Sequence, residues 1–249
     1  MSAFGRYAFM SILTLGVLAG CGGGQDAKSP AERKLSAEQQ QAVDAVKAAA
    51  ERDQQLFQKG LDSEVRTNTA RAQDVYRRPQ DLLTLLRVQP GMVIIDASGS
   101  DTYMSEILAG LASSGVEIVR TGVDVNALAA LDPGSVDAVF SYLSYHELLA
   151  KGVDRSAWLA AAQKALKPNG YLLVVDYAAD PGAADRDART LGRIDEQIVQ
   201  QEAEAAGFDV EESNSMFRNS ADDRRSVATA SDPSGSADQF AIRFRKVSQ

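Results

Sequence analysis

Residues 93–108, VIIDASGSDTYMSEIL, constrain the fold of this chain more than any other stretch: an apolar run closed by a carboxylate, a small-residue loop, and the start of an amphipathic helix. A strand-loop-helix turn of this kind delivers its acid to the carboxyl edge of a sheet. Its loop must be small so that backbone N–H groups can approach a ligand at the helix N-terminus. Asp96, Ser98, Gly99 and Ser100 are therefore the candidate cofactor-binding residues. Any α/β core is also built from strand, Gly/Ser turn and helix, so the order of the later elements decides how much the turn means.

Downstream the chain alternates strand and helix, the mark of a parallel sheet with helices on its faces. A helix carrying Tyr103, Ile107, Leu108 and Leu111 stops at Gly115. Residues 116–123 (VEIVRTGV) read as a strand with Asp124 at its end, and 136–143 (VDAVFSYL) as the next, leading into Ser144-Tyr145-His146-Glu147-Leu148. Trp158, Ala161, Ala162 and Ala165 line a helix before the strand 171–176 (YLLVVD), which ends in Asp176. Leu191, Ile194, Ile198 and Ala205 mark a further helix, then 208–212 is a strand, and 239–245 alternates Phe240, Ile242 and Phe244 inward with Arg243 and Arg245 outward. That last pair fits an antiparallel hairpin at one edge of the sheet.

The N-terminus carries a different signal. Arg6 supplies a positive region, residues 7–18 (YAFMSILTLGVL) an apolar one too short to span a bilayer comfortably, and Leu18-Ala19-Gly20-Cys21 comes next. This resembles a bacterial lipoprotein signal peptide, which implies that residues 1–20 are removed and Cys21 becomes the lipidated first residue. Cys21 is the only cysteine, so no disulfide can form within one chain. Acyl chains contribute about 0.8 kcal/mol per buried methylene, enough for several to hold a protein on a membrane without a spanning helix. Residues 21–35 then form a lipidated tether and 36–70 a helical extension opened by a Ser36/Gln39 capping box, its stripe of Ala42, Val43, Val46 and Ala50 suiting a spacer. The domain proper is 71–249, with a firmer helix that starts at Pro79 and carries Leu82, Leu83 and Leu86. A net charge of −8 argues against a nucleic-acid partner, which needs a basic face.

From Pro90 onward the chain resembles class I S-adenosylmethionine-dependent methyltransferases, closest to an exported group of predicted ones. The matching pieces are PGMVIID (90–96), SEIL (105–108), GSVDAVFSYLSYHEL (134–148), ALKPNGYLLVVD (165–176), GRID (192–195), EAAGF (204–208) and DQFAIRF (238–244), in consistent order. The resemblance implies an α/β, Rossmann-like sheet, mostly parallel with a C-terminal antiparallel hairpin, and S-adenosylmethionine as cofactor. Three departures stand against it. Ser98, Ser100 and Thr102 occupy the positions where the family has the three glycines of its cofactor loop, and Gly99 lies between them. Only 13 residues lead from Asp124 to Asp137, so the sheet is shortened by one β-α unit. Either Asp124 ends the second strand, where the family's acid holds the ribose, and the third is missing, or it ends the third and the second is missing. Third, Tyr177 and Gly192 stand where close relatives carry histidines.

His146, the only histidine, centres the remaining chemistry. The segment after the fourth strand lies at the cofactor's reactive end in the family, which makes His146 a candidate general base or acceptor-orienting group, with Tyr145 and Asp176 as candidate catalytic neighbours. The bland alternative is a histidine that supports its loop. No metal site is expected from one histidine and one lipidated cysteine. Two functions stay open. One is a lipid-anchored methyltransferase acting on a small-molecule or envelope-component acceptor, with weak or lost cofactor binding. The other is a non-catalytic envelope lipoprotein using a degenerate methyltransferase fold as a binding or scaffolding module. Either would sit in the bacterial cell envelope on the membrane through Cys21, with Gly22 after the cysteine resembling outer-membrane sorting toward the periplasm.

Overall fold

The computed structural model describes residues 35–228 and 235–247. The signal-peptide reading, nearly all of the tether and Cys21 lie outside the described residues. Two compact units are distinguished, with the boundary after Gln54. Helix α1 (Ala37–Leu61) opens with the expected capping box: Ser36 N–H donates to Gln39 Oε1 (3.0 Å) and Gln39 N–H to Ser36 Oγ (3.2 Å). Its residues up to Gln54 are largely exposed, Val46 among them.

The second unit begins at Gln55, and its apolar cluster takes in Leu56, Phe57 and Ala70, which reach N-terminally past an Arg71 boundary. Short helices α2 (Asn68–Ala72), α3 (Asp74–Arg77) and α4 (Pro79–Leu85) lead into the sheet, and Pro79 starts α4 as its missing N–H permits. The remaining elements are β1 (Val93–Asp96), α5 (Tyr103–Leu111), β2 (Glu117–Arg120), α6 (Val125–Ala129), β3 (Val136–Tyr142), α7 (Tyr145–Ala150), α8 (Arg155–Ala165), β4 (Leu166–Tyr177), α9 (Glu196–Ala205), β5 (Phe208–Asn214) and β6 (Gln239–Lys246).

They build one six-stranded sheet in the order β2-β1-β3-β4-β6-β5. The first four strands run parallel, and β6 lies antiparallel to both β4 and β5. This is the expected Rossmann-like α/β sheet with an antiparallel C-terminal pair. β2 lies directly beside β1, from Val93↔Glu117 to Asp96↔Arg120, and among the described residues no strand lies outside it.

Successive strand residues face opposite sides, so each strand feeds two cores. Ile94, Phe140, Leu173 and Val175 join Leu82, Leu83, Met104 and Ile107 on one face. Ile95, Val139, Leu172 and Val174 join Leu128, Trp158, Ala162 and Val199 on the other. Two local readings are corrected by the packing. Arg243, expected outward, is 2% exposed because β6 is an interior strand covered on both faces, and its guanidinium is held by Glu211, Glu212 and Leu85 O. Leu191 and Ile194 precede α9 rather than belonging to it, since Asp195 caps that helix by accepting from Gln197 N (3.0 Å) and also binds Gly182 N (2.7 Å).

Candidate functional site

The parallel register places the ends of β1, β3 and β4 on one edge, and with them Asp96, Tyr142 and Asp176. Between β3 and α7 the chain turns sharply. Leu143 takes a left-handed φ of 50°, and Ser144 Oγ donates to Ala97 O (3.0 Å), stitching this turn to the end of β1. Helix α7 thus starts next to the loop after β1, and its first turn carries Tyr145, His146 and Glu147.

Asp96 is 1% exposed. One carboxylate oxygen accepts from Ser98 N–H (3.0 Å) and the other from Arg120 Nη1 (2.8 Å). Arg120 comes from the neighbouring β2 and also donates to Gly99 O (3.2 Å) and Ser105 Oγ. A buried carboxylate requires such a partner, and Asp96 finds it within the protein. From the other side Arg77 pairs with Asp101.

None of residues 97–102 takes a positive φ, Gly99 included. The loop therefore follows a path open to any L-residue, which is why Ser98, Ser100 and Thr102 fit where glycines were expected. The outward side of this loop meets Glu147. Ser100 N–H donates to both Glu147 oxygens (3.0 and 3.2 Å), and Ser100 Oγ donates as well. A Cβ on residue 99 would stand 2.6 Å from Glu147 Cδ, so Gly99 is the residue that leaves room for this carboxylate. One turn along α7, Lys151 Nζ lies 2.7 Å from Glu147 Oε2. Burial pushes the Glu147 carboxyl up, but the bonds from Lys151 and Ser100 outweigh it and hold it below its usual range. Ser98 Oγ is buried within the loop without a hydrogen-bond partner.

Asp176 is wholly buried and organises His146. Its Oδ2 accepts from His146 N–H (2.8 Å), and its Oδ1 lies 2.7 Å from His146 Nδ1 and accepts from Tyr177 N–H (2.8 Å). In the neutral ring Nδ1–H donates to Asp176 and Nε2 keeps the lone pair. Burial would lower the imidazole pKa; the Asp176 charge and hydrogen bond overcome it, and the net shift is upward. The Tyr177 ring lies 6.3 Å from the His146 ring, and a Cβ on Gly192 would stand 3.6 Å from Nε2. Tyr177 and Gly192 thus both flank this histidine.

Two of the expected site residues are engaged elsewhere. Tyr145 follows α7 round to the opposite core: its ring packs edge-on to Trp158 (6.1 Å) and its hydroxyl donates to Glu202 Oε2 (2.7 Å). Asp124 is exposed and caps α6, accepting from Asn126 N (2.8 Å) and Ala127 N (3.3 Å), four residues beyond the end of β2. Glu147 and Arg120 were the residues that sequence reasoning passed over. The signal available for Glu147 was its i,i+4 spacing to Lys151 and a retained glycine at 99 that no family position explained.

These contacts test the fit of S-adenosylmethionine. The Ser100 amide that would approach a ligand holds a carboxylate, the space at Gly99 is filled, Asp96 is bound to Arg120, and Asp124 caps a helix. In this arrangement the residues present do not fit the cofactor. Among the described residues there is no cluster of metal-ligating side chains and no helix long and apolar enough to cross a membrane.

No family model matches the chain, and no curated protein matches it. Solved structures do. A SAM-dependent methyltransferase from Aquifex aeolicus is 17% identical with a TM-score of 0.46, the match covering 73% of this chain and 100% of that one. An S-adenosylmethionine-dependent methyltransferase from Mesorhizobium loti is 15% identical with a TM-score of 0.42, covering 67% of this chain and 96% of its own. The [4+2]-cyclase SpnF is 14% identical with a TM-score of 0.46, covering 71% and 82%.

Proposed function

We propose that this chain is a methyltransferase-like protein of the bacterial cell envelope, held through lipid on Cys21 in the outer membrane and facing the periplasm. Its S-adenosylmethionine site is closed by its own side chains, and it binds that cofactor weakly or not at all. The observation that carries this reading is the Glu147 carboxylate on the Ser100 amide, with Arg120 on Asp96 beside it. In this reading the carboxyl edge serves as a binding or scaffolding surface for a small molecule or an envelope component. Losing two or three hydrogen bonds to a ligand, at about 1 kcal/mol each, weakens binding by roughly one to two orders of magnitude.

A second reading, a methyltransferase acting on an envelope-associated acceptor, is favoured by one feature. His146 and Asp176 form an oriented acid–base pair at the same edge, with Nε2 not engaged by Asp176. Calorimetric titration of the purified protein with S-adenosylmethionine separates the two. The first reading expects no saturable heat below about 100 µM. A low-micromolar dissociation constant abolished by Asp96→Ala would overturn it in favour of the enzyme.

A further inference from the structure

We propose that Glu147 is a built-in plug, occupying from within the chain the position that a ligand carboxylate would take and so holding the loop at 98–100 closed. The ligand clause rests on the closed site proposed above; the plug rests on contacts in the structure.

Four observations converge on it. Glu147 is presented by α7, whose start is set by the left-handed turn at Leu143 and the Ser144 bond to Ala97, so the carboxylate arrives from a fixed element. It accepts twice from the Ser100 amide and once from the Ser100 hydroxyl, which is how a bound carboxylate meets a loop. Gly99 is shaped around it, since any side chain there would push against the carboxylate. Finally, Ser98 Oγ, in the same loop, is wholly buried and has no partner, a polar group that closure leaves unsatisfied.

Withdrawing Glu147 would free three donors together: the Ser100 N–H, the Ser100 hydroxyl and the Lys151 ammonium. Asp96 would not compete with them, since its charge is matched by Arg120. Three donors around a carboxylate-sized space select a carboxylate, and Glu147 is the one the chain supplies itself.

Chemical rescue tests the plug on the full mature chain without any nucleotide. Glu147→Ala should raise backbone hydrogen exchange across residues 97–103 by at least about tenfold, while the exchange of the sheet core is unchanged. Sodium acetate should restore the protection, and sodium chloride at equal ionic strength should not. Gly99→Ala should loosen the same segment, because its methyl displaces the far end of a flexible side chain rather than backbone. If both variants keep the parental circular dichroism and exchange like the parent, Glu147 is no plug. Loosening that acetate repairs no better than chloride overturns the carboxylate assignment. Because S-adenosylmethionine is absent from the experiment, neither failure depends on whether that cofactor binds.

Discussion

His146 and Glu147, adjacent in the chain, answer pH in opposite directions through their partners. His146 is raised above its ordinary 6.5 by Asp176, so folding favours its protonated form. The stability it contributes is fully present below about pH 6.5 and is lost as pH rises through the native value. Denaturant unfolding followed from pH 5.5 to 8.5 should show this decline in the parent and a flatter profile in His146→Gln. Asp176→Asn should lower the imidazole midpoint read by NMR of the His146 ring; an unchanged midpoint would remove Asp176 as its cause. Glu147 is lowered from 4.5, so its contribution is present above that value and fades as pH falls through its native one. The placement of His146 and Asp176 at one sheet edge was legible because a lone histidine follows one apolar strand and an acid stands at the end of another. Tyr145 was misplaced because adjacent helical residues point about 100° apart, which sends its hydroxyl to Glu202. Glu147 and Arg120 were hidden because their partners, Ser100 and Asp96, lie 47 and 24 residues away. Arg193 is 1% exposed and tied to Asp222, Ala178 O and Ser226 O, which lie 29, 15 and 33 residues away.

Among the elements, the end of α1 and the C-terminal half of α5 meet through glycine. A Cβ on Gly60 would stand 2.9 Å from Ile107 O, and one on Gly110 would stand 2.8 Å from Lys59 O and 3.1 Å from Gly60 Cα. These neighbours are backbone and cannot step aside. Gly110→Ala should therefore cost about 1–3 kcal/mol of unfolding free energy although alanine is the better helix former; urea denaturation showing a gain would contradict the close crossing. Asp195→Ala removes the cap of α9 and the bonds to Gly182 and Ala184, and a loss of about 1–2 kcal/mol is expected by the same measurement. Strand positions and the apolar faces of α4 and α8 could be read from periodicity, since burial there follows pattern. The packing of residues 55–61 could not: Leu56, Phe57 and the Gly60–Gly110 approach anchor them, while the Ala/Gln-rich stripe earlier in the helix resembles a spacer. Arg243 misled for a related reason, because alternation assigns a face but not what covers it.

At the scale of the whole molecule, the proposed anchor and the sheet make separate demands. Replacing Cys21 with alanine should abolish acyl labelling and release the chain from the membrane fraction of a bacterial host; retention equal to the parent would end the lipoprotein reading. The short interval from Asp124 to Asp137 announced a small sheet, and the strand order shows six strands with β2 at one margin. Among the described residues β2 forms one rim of the sheet. A sheet margin invites pairing with other chains, and a long, flat, greasy one aggregates. Here the margin is four residues long and bounded by Glu117 and Arg120, with Glu117 exposed. Brevity and charge thus act as insulation, and Glu117→Val should make the protein associate with rising concentration in size-exclusion chromatography. Under the proposed lipid anchor the chain would be crowded in two dimensions, where a short, charged margin matters for colloidal restraint as much as for fold.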